Sequence, residues 1–211
     1  MNNAIQLATD ADVPALSKLI NLCYRGGEAG TESELQGWTS EVGLVSGLRI
    51  QTNDLLTFIH RPDVHFFCIK NHAAIIACFS LTLKSTQALS SIAPDTQSIC
   101  EFGSFAVHPS YQAQGLGKQL LSLAEAFARN QFHCTLMQMQ VLSPREDLIA
   151  YYQRRGYQLT SAHAPFPKHL PVGTPIQDDL NLVMMEKDLS APQAPVNTDE
   201  TGPDINIERD R

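Results

Sequence analysis

The sequence predicts an α/β protein built on a mixed central sheet flanked by helices. Two strand-length apolar runs joined by a short turn, "VHFFCIK" (64 to 70) and "AIIACFSLTL" (74 to 83), read as an early β-hairpin. Segments with apolar residues three and four apart read as amphipathic helices on both sides of that hairpin. Further strand-length runs lie between and after those helices, which is the pattern of a layered sheet rather than a bundle or a sandwich. No internal repeat is evident.

In chain order, "IQLA" (5 to 8) is a short strand. "TDADVPALSKLINLCYRG" follows as a helix, with Thr9 or Asp10 as N-cap, Pro14 in the first turn, and Leu16, Leu19, Ile20 and Cys23 at helical spacing. Gly26 and Gly27 end it. Residues 28 to 53 mix four glycines with helical fragments, a composition that lies over a core rather than inside it, and "NDLLTFIH" reads as a short helix capped by Asn53 or Asp54. After the hairpin, a polar loop (84 to 97) leads to a long strand, "SICEFGSFAV" (98 to 107). A helix, "GLGKQLLSLAEAFARNQ", then turns Leu116, Leu120, Leu121, Leu123, Ala124 and Phe127 inward. "TLMQMQVL" (135 to 142) alternates as a half-buried strand, and Ser143 and Pro144 start a helix, "REDLIAYYQRR", that Gly156 stops. "YQLTS" and "DLNLVMMEKDL" (179 to 189) are the last strands.

With 211 residues, 43% of them hydrophobic, the chain can bury a real core. The net charge of −7 and scattered Lys and Arg give no basic footprint, so a nucleic-acid partner is excluded. An acidic surface suits a cationic amine, but it is more often simply the ordinary device for solubility, which is the better reading here. The five cysteines (Cys23, Cys68, Cys78, Cys100, Cys134) form no CxxC pair and sit mostly in apolar runs, which predicts buried thiols in a reducing compartment and neither a disulfide frame nor a metal site. The first residues show no charged-then-apolar leader, and no stretch approaches a membrane span, so the expectation is a cytoplasmic protein without a membrane partner. From Ser190 the chain is rich in Pro, Asp, Asn and Thr, which predicts a folded domain over 1–189 and a disordered tail over 190–211, ordered only against a partner or another copy.

The chemistry concentrates at "VHPSYQAQGLGKQLL" (107 to 121). A strand entering a glycine-bearing turn and then a helix offers free backbone N–H groups at the positive end of a helix dipole, an anion site. A dinucleotide fingerprint wants a third glycine where Leu120 stands, and a P-loop wants Ser or Thr where Gln119 follows Lys118, so neither fits. The spacing present is Q-x-x-G-x-G, from Gln112, Gly115 and Gly117, and a second pattern, "LIAYYQRRGYQL", places Tyr152 four residues before Gly156 and Tyr157 after it.

With these two motifs the sequence resembles the GCN5-related N-acetyltransferase (GNAT) superfamily, over about residues 4 to 188 and most closely over 98 to 160. The resemblance implies a mostly antiparallel sheet splayed in the middle, acetyl-CoA as co-substrate, and transfer of its acetyl group to a primary amine by direct attack in a ternary complex. It places acetyl-CoA on Phe105, Ala106 and Val107 of the strand and on Gln112, Ala113, Gln114, Gly115, Leu116, Gly117 and Lys118 of the turn. It makes Tyr152 the general acid that protonates the departing thiolate, with Tyr151 as core packing, and Glu101 the candidate general base. His108 reads as a turn former. The family's asparagine early in the second-motif helix is replaced here by Ser143, Arg145 and Glu146. The acceptor amine is expected against the N-terminal helices, where Trp38 with Glu32, Glu34 and Glu41 either holds an amine or packs as a lid. The long proline-rich segment 163 to 180 is a candidate cover for the acceptor mouth. Dimers are common in the family, so a homodimer is a possible assembly. A non-catalytic acyl-CoA-binding or regulatory module is the alternative reading, and a structural or interaction protein the third.

Overall fold

The computed structural model describes residues 5–26, 37–84 and 98–190. The expectations for Glu32, Glu34, the polar loop over 85–97 and the tail over 191–211 fall outside those residues.

A seven-stranded sheet forms the middle layer, composed of β1 (Ile5–Leu7), β3 (Val64–Asn71), β4 (Ala74–Lys84), β5 (Ile99–Val107), β6 (Leu136–Leu142), β9 (Asn181–Asp188) and β7 (Gln158–Pro165) in that spatial order. All neighbours are antiparallel except β5 and β6. Helices α1 (Val13–Arg25) and α2 (Thr52–Ile59) cover one face, and α3 (Leu116–Asn130) and α4 (Glu146–Gln153) the other. This is the mixed α/β architecture that the hairpin and flanking helices predict.

The strand pattern follows from alternation. In β3, Phe66 and Cys68 pack under α1 while Phe67 and Ile69 pack under α3. Both faces are covered, so β3 and β4 read as continuous apolar runs. The α1 stripe of Leu16, Leu19, Ile20 and Cys23 is buried as its spacing predicts. Before it, the Asp12 carboxylate accepts from the N–H and hydroxyl of Thr9 and pairs with Lys70, so the capping partner is Asp12. On α3, Leu120, Leu121, Ala124 and Phe127 are buried, whereas Leu116 and Leu123 are half-buried. Glu125, one of the few buried charges, is paired with Lys187 at 2.7 Å. The α2 helix begins at Thr52 with Gln51 as N-cap, earlier than the Asn53 or Asp54 cap expected.

Two irregularities open the sheet. Ser80 pairs with Gly103 but Cys78 with Ala106, so β5 carries one extra residue, a β-bulge with Ser104 at φ 49°. The bulge restores Phe102 and Phe105, three apart, to the same face. The parallel pairing of β5 with β6 runs only from Ile99↔Leu136 to Glu101↔Gln138. Beyond that rung β5 stays with β4 and β6 with β9, leaving a cleft between Gly103–Val107 and Met139–Leu142.

A small roof closes one end of the cleft. The two-residue strands β2 (Val45–Ser46) and β8 (Thr174–Pro175) pair antiparallel, and Val45 of β2 packs with Leu142, Phe166 and Leu180. Gly173 sits at φ 95° with Ser46 O only 2.5 Å from where a Cβ would be, so no other residue fits there. Arg25 ties the roof to α1, donating to Gly47 O at 3.0 Å and Val172 O at 2.7 Å while pairing with Glu41. The segment 163–180 therefore includes part of β7 and all of β8, and Pro167, Leu170 and Val172 face the cleft.

Candidate active site

The turn after β5 is built by its own residues. His108 N–H donates to Ile76 O at 2.8 Å, and the His108 ring accepts from Ser110 N–H at 3.3 Å, holding a 3₁₀ turn over Pro109–Tyr111. The chain then passes through Ala113 at φ 60° and Gly115 at φ 81° before entering α3. The two motif glycines have different reasons. A Cβ on Gly115 would meet nothing within 4 Å, so that position needs glycine for its left-handed torsion. A Cβ on Gly117 would lie 3.5 Å from Phe105 and 3.6 Å from the Tyr151 hydroxyl, an ordinary contact, so glycine there keeps a surface bare.

That surface is the floor of a cavity of about 410 Å³ lined by Gln112, Ala113, Gly115, Gly117, Lys118, Phe105, Val107, Trp38, Thr39, Tyr151 and Arg155. Most of the residues expected to hold the co-substrate are thus gathered around one space; Ala106, Gln114 and Leu116 do not line it. The first N–H groups of α3 lack intrahelical acceptors and carry the positive end of the dipole. Lys118 and Arg155 add two full cationic charges. The Arg155 guanidinium lies 3.3 Å from the centroid of the Tyr151 ring and donates to Tyr151 O at 2.8 Å, and its Nε is buried with no partner among the described residues. Trp38 closes the other side, its ring 5.2 Å from Tyr151.

Trp38 is tied in place from two directions. Its N–H donates to Gln112 Oε1 at 2.9 Å, and Gln112 Nε2 donates to Val107 O at 2.6 Å. Its carbonyl accepts from Arg145 Nη2 at 2.6 Å, while Arg145 also donates to Ser40 O and bridges Asp147 at 3.0 Å. Arg145, standing near the family's asparagine position, is therefore spent on the 38–40 segment.

The second cavity, about 240 Å³, occupies the splay between β5 and β6 and touches the first across Thr39 and Phe105. Tyr152 lines it, 4% exposed and packed edge-on against Tyr151 and Tyr157. Burial above all, with the nearby Tyr24 and Tyr151, holds its phenol well above the usual tyrosine range, so it stays a neutral donor. No described residue hydrogen-bonds its hydroxyl. Glu101 lines the same cavity from the last paired rung of β5, and its Oε2 lies 2.5 Å from Lys84 Nζ. No hydrogen bond joins Glu101 to Tyr152. Glu41, expected to await an amine, is instead half-buried against Arg25.

Sequence reasoning missed Tyr24, Arg49 and Arg155 and the clamping role of Arg145, and it read Tyr151 as core packing alone, whereas that ring both packs against the core and lines the larger cavity. The Y-Y pair carried the signal for Tyr151, since adjacent helical residues point about 100° apart and cannot both face one side. Arg49 carried none, because Asn21 and Tyr24 lie far away in the chain, and the long-range clamp of Arg145 on Trp38 and Ser40 was equally hidden.

A model of the acetyltransferase (GNAT) family matches residues 31–157, which includes the glycine turn, Tyr152 and both cavity-forming strands. The chain belongs to the GNAT acetyltransferase family. The solved structures that it resembles agree on the fold. The yncA protein of Salmonella typhimurium, solved with its cofactor acetyl-CoA, superposes with a TM-score of 0.59 at 19% identity, covering 93% of this chain and 99% of that one. Ribosomal-protein-alanine N-acetyltransferase of Brucella melitensis gives 0.57 at 15%, covering 87% and 98%. Naa20 of Chaetomium thermophilum, in complex with a bisubstrate analogue, gives 0.60 at 16%, covering 87% and 85%. No curated protein sequence matches the chain. Among the described residues, no helix is long and apolar enough to cross a membrane.

Proposed function

We propose that this GNAT protein moves the acetyl group of acetyl-CoA to a primary amine by direct attack in a ternary complex. The observation that supports this best is the pair of cavities meeting at Phe105 and Thr39, one floored by the glycine turn and the other lined by Tyr152. In this reading the α3 N-terminus, Lys118 and Arg155 receive the pyrophosphate and phosphate charges, and the edge of β5 freed by the splay aligns the pantetheine arm. The thioester then lies at the boundary, with the amine arriving through the smaller cavity.

Acetyl-CoA supplies an activated acyl carbon. The protein holds the amine against it, so that a C–N bond forms as the C–S bond breaks and the electron pair leaves on sulfur. Tyr152 donates a hydrogen bond and then its proton to that sulfur; because burial disfavours the phenolate, Tyr152 takes up a replacement proton from solvent before release, balancing the proton that the amine gives up. The amine must shed a proton, and Glu101, directly or through water, accepts it.

The test is thiol release from acetyl-CoA across a panel of amines, comparing wild type with Tyr152→Phe. The expected result is amine-dependent release that falls about 10²-fold or more in kcat in the variant while acetyl-CoA binding persists. Acetyl-CoA binding without release by any amine would instead identify a non-catalytic acyl-CoA-binding module, and no binding would overturn both readings.

A further inference from the structure

Three arginines line the smaller cavity, and their situations differ. Arg25 is consumed by Glu41 and two roof carbonyls, and Arg145 by Asp147 and the Trp38 and Ser40 carbonyls. Arg49 makes no side-chain hydrogen bond or ion pair among the described residues. It is nevertheless held. Its backbone N–H donates to Asn21 Oδ1 at 2.7 Å, the neighbouring Ile50 N–H shares that acceptor at 3.2 Å, and Asn21 Nδ2 donates back to Ile50 O at 2.8 Å. Its guanidinium stands over the ring of Tyr24, 5.3 Å from the centroid.

Tyr24 gives this arginine its geometric meaning. The Tyr24 hydroxyl donates to Phe105 O at 3.0 Å, at the boundary where the two cavities meet. One tyrosine ring therefore separates a guanidinium that is unpaired among the described residues from the point where the acceptor nitrogen must stand in the reading above. The described lining of the cavity holds three guanidinium groups against the two carboxylates of Glu41 and Glu101, and both carboxylates are already paired. Such a lining does not favour a simple polyamine; it favours a molecule that brings its own negative charge.

We propose that the acceptor is an amine that also carries a carboxylate, with Arg49 binding the carboxylate while the amino group faces Phe105. A planar guanidinium offers a carboxylate two parallel N–H donors, and desolvation inside the cleft strengthens the pair. The inference rests on the acetyl-transfer reading and would assign Arg49 as a specificity-determining residue.

The test measures kcat/KM by thiol release for an amino acid, the same amino acid as its amide, its decarboxylated amine, and an acidic dipeptide. Wild type, Arg49→Gln and Arg49→Lys are compared, with acetyl-CoA binding measured alongside. The expected result is a preference of about 10- to 100-fold for the acid over its amide in wild type, collapsing toward one in Arg49→Gln and partly kept in Arg49→Lys. The dipeptide shows whether the carboxylate belongs to a free amino acid or to a peptide. Equal turnover of acid and amide by wild type would overturn the proposal alone, as would a preference that survives both substitutions. Acetyl-CoA binding with no release from any amine would remove the acetyl-transfer reading and this proposal with it. Arg49→Lys keeps the charge and the stem over Tyr24, so it serves if Arg49→Gln does not fold.

Discussion

Gln112 binds the main chain twice, accepting the Trp38 N–H at 2.9 Å and donating to the Val107 carbonyl at 2.6 Å. The first residue of the Q-x-x-G-x-G motif thereby fastens the turn to the end of β5 and the Trp38 segment to the turn. Gln112→Ala removes one exposed and one part-buried hydrogen bond, a loss of about 0.5–1.5 kcal/mol each. The account predicts that acetyl-CoA binds this variant about 5- to 100-fold more weakly by calorimetry, because Trp38 no longer closes the cavity. Unchanged affinity would show that the tie is irrelevant to the cavity.

The two motif glycines should separate in experiment. Gly115→Ala forces a side chain into a left-handed torsion at about 1–2 kcal/mol, equivalent to a Tm drop of roughly 2–8 °C for a domain of this size. Gly117→Ala meets only ordinary contacts, so its Tm should stay near wild type while acetyl-CoA affinity falls, since the added methyl occupies the cavity floor. Thermal unfolding and calorimetry of the pair check this. Equal Tm loss in both variants would contradict the division of roles.

Much of this arrangement was legible in the chain. The β3–β4 hairpin, the α1 stripe and the sequence of strand, turn and helix around Gly115 all follow from short-range patterns: alternation, 3.6-residue spacing and turn chemistry. What was hidden depends on distant residues. Nothing local marks Val45–Ser46 and Thr174–Pro175 as a pair of strands, because two residues carry no periodicity and the partner lies some 130 positions away. The bulge at Ser104 gave no warning, since serine is not a usual left-handed residue. Arg145 was visible as a departure from the family pattern, but its use as a clamp on Trp38 and Ser40 needed the fold. Likewise Arg49 became interesting only when Asn21, Tyr24 and Phe105 were seen together.

Buried thiols are expected to make stability fall at alkaline pH. Burial pushes the Cys23 thiol up to about 12 and the Cys68 thiol up to about 11, from an ordinary value of 9.0. The unfolded chain therefore ionises first, so this contribution is fully present below about pH 9 and is lost as pH rises through 11 and 12. Tyr24, Tyr152 and Tyr157 are shifted upward too, and they add to the loss above pH 10. Tm should fall steeply between about pH 9 and 11, and more shallowly in a Cys23→Ala, Cys68→Ala double variant measured over the same range. A double variant with the wild-type slope would assign the alkaline loss to other groups.

Trp38 is the chain's one tryptophan, and it forms a wall of the glycine-turn cavity, 5.2 Å from Tyr151. Its fluorescence therefore reports directly on whether acetyl-CoA occupies that cavity, which is the central claim. The account predicts a saturable change in Trp38 emission on titration with acetyl-CoA, following the same binding curve as calorimetry and abolished in Gly117→Phe, where the ring fills the floor. Calorimetric binding of acetyl-CoA with no response from Trp38, or a response that survives in Gly117→Phe, would contradict it.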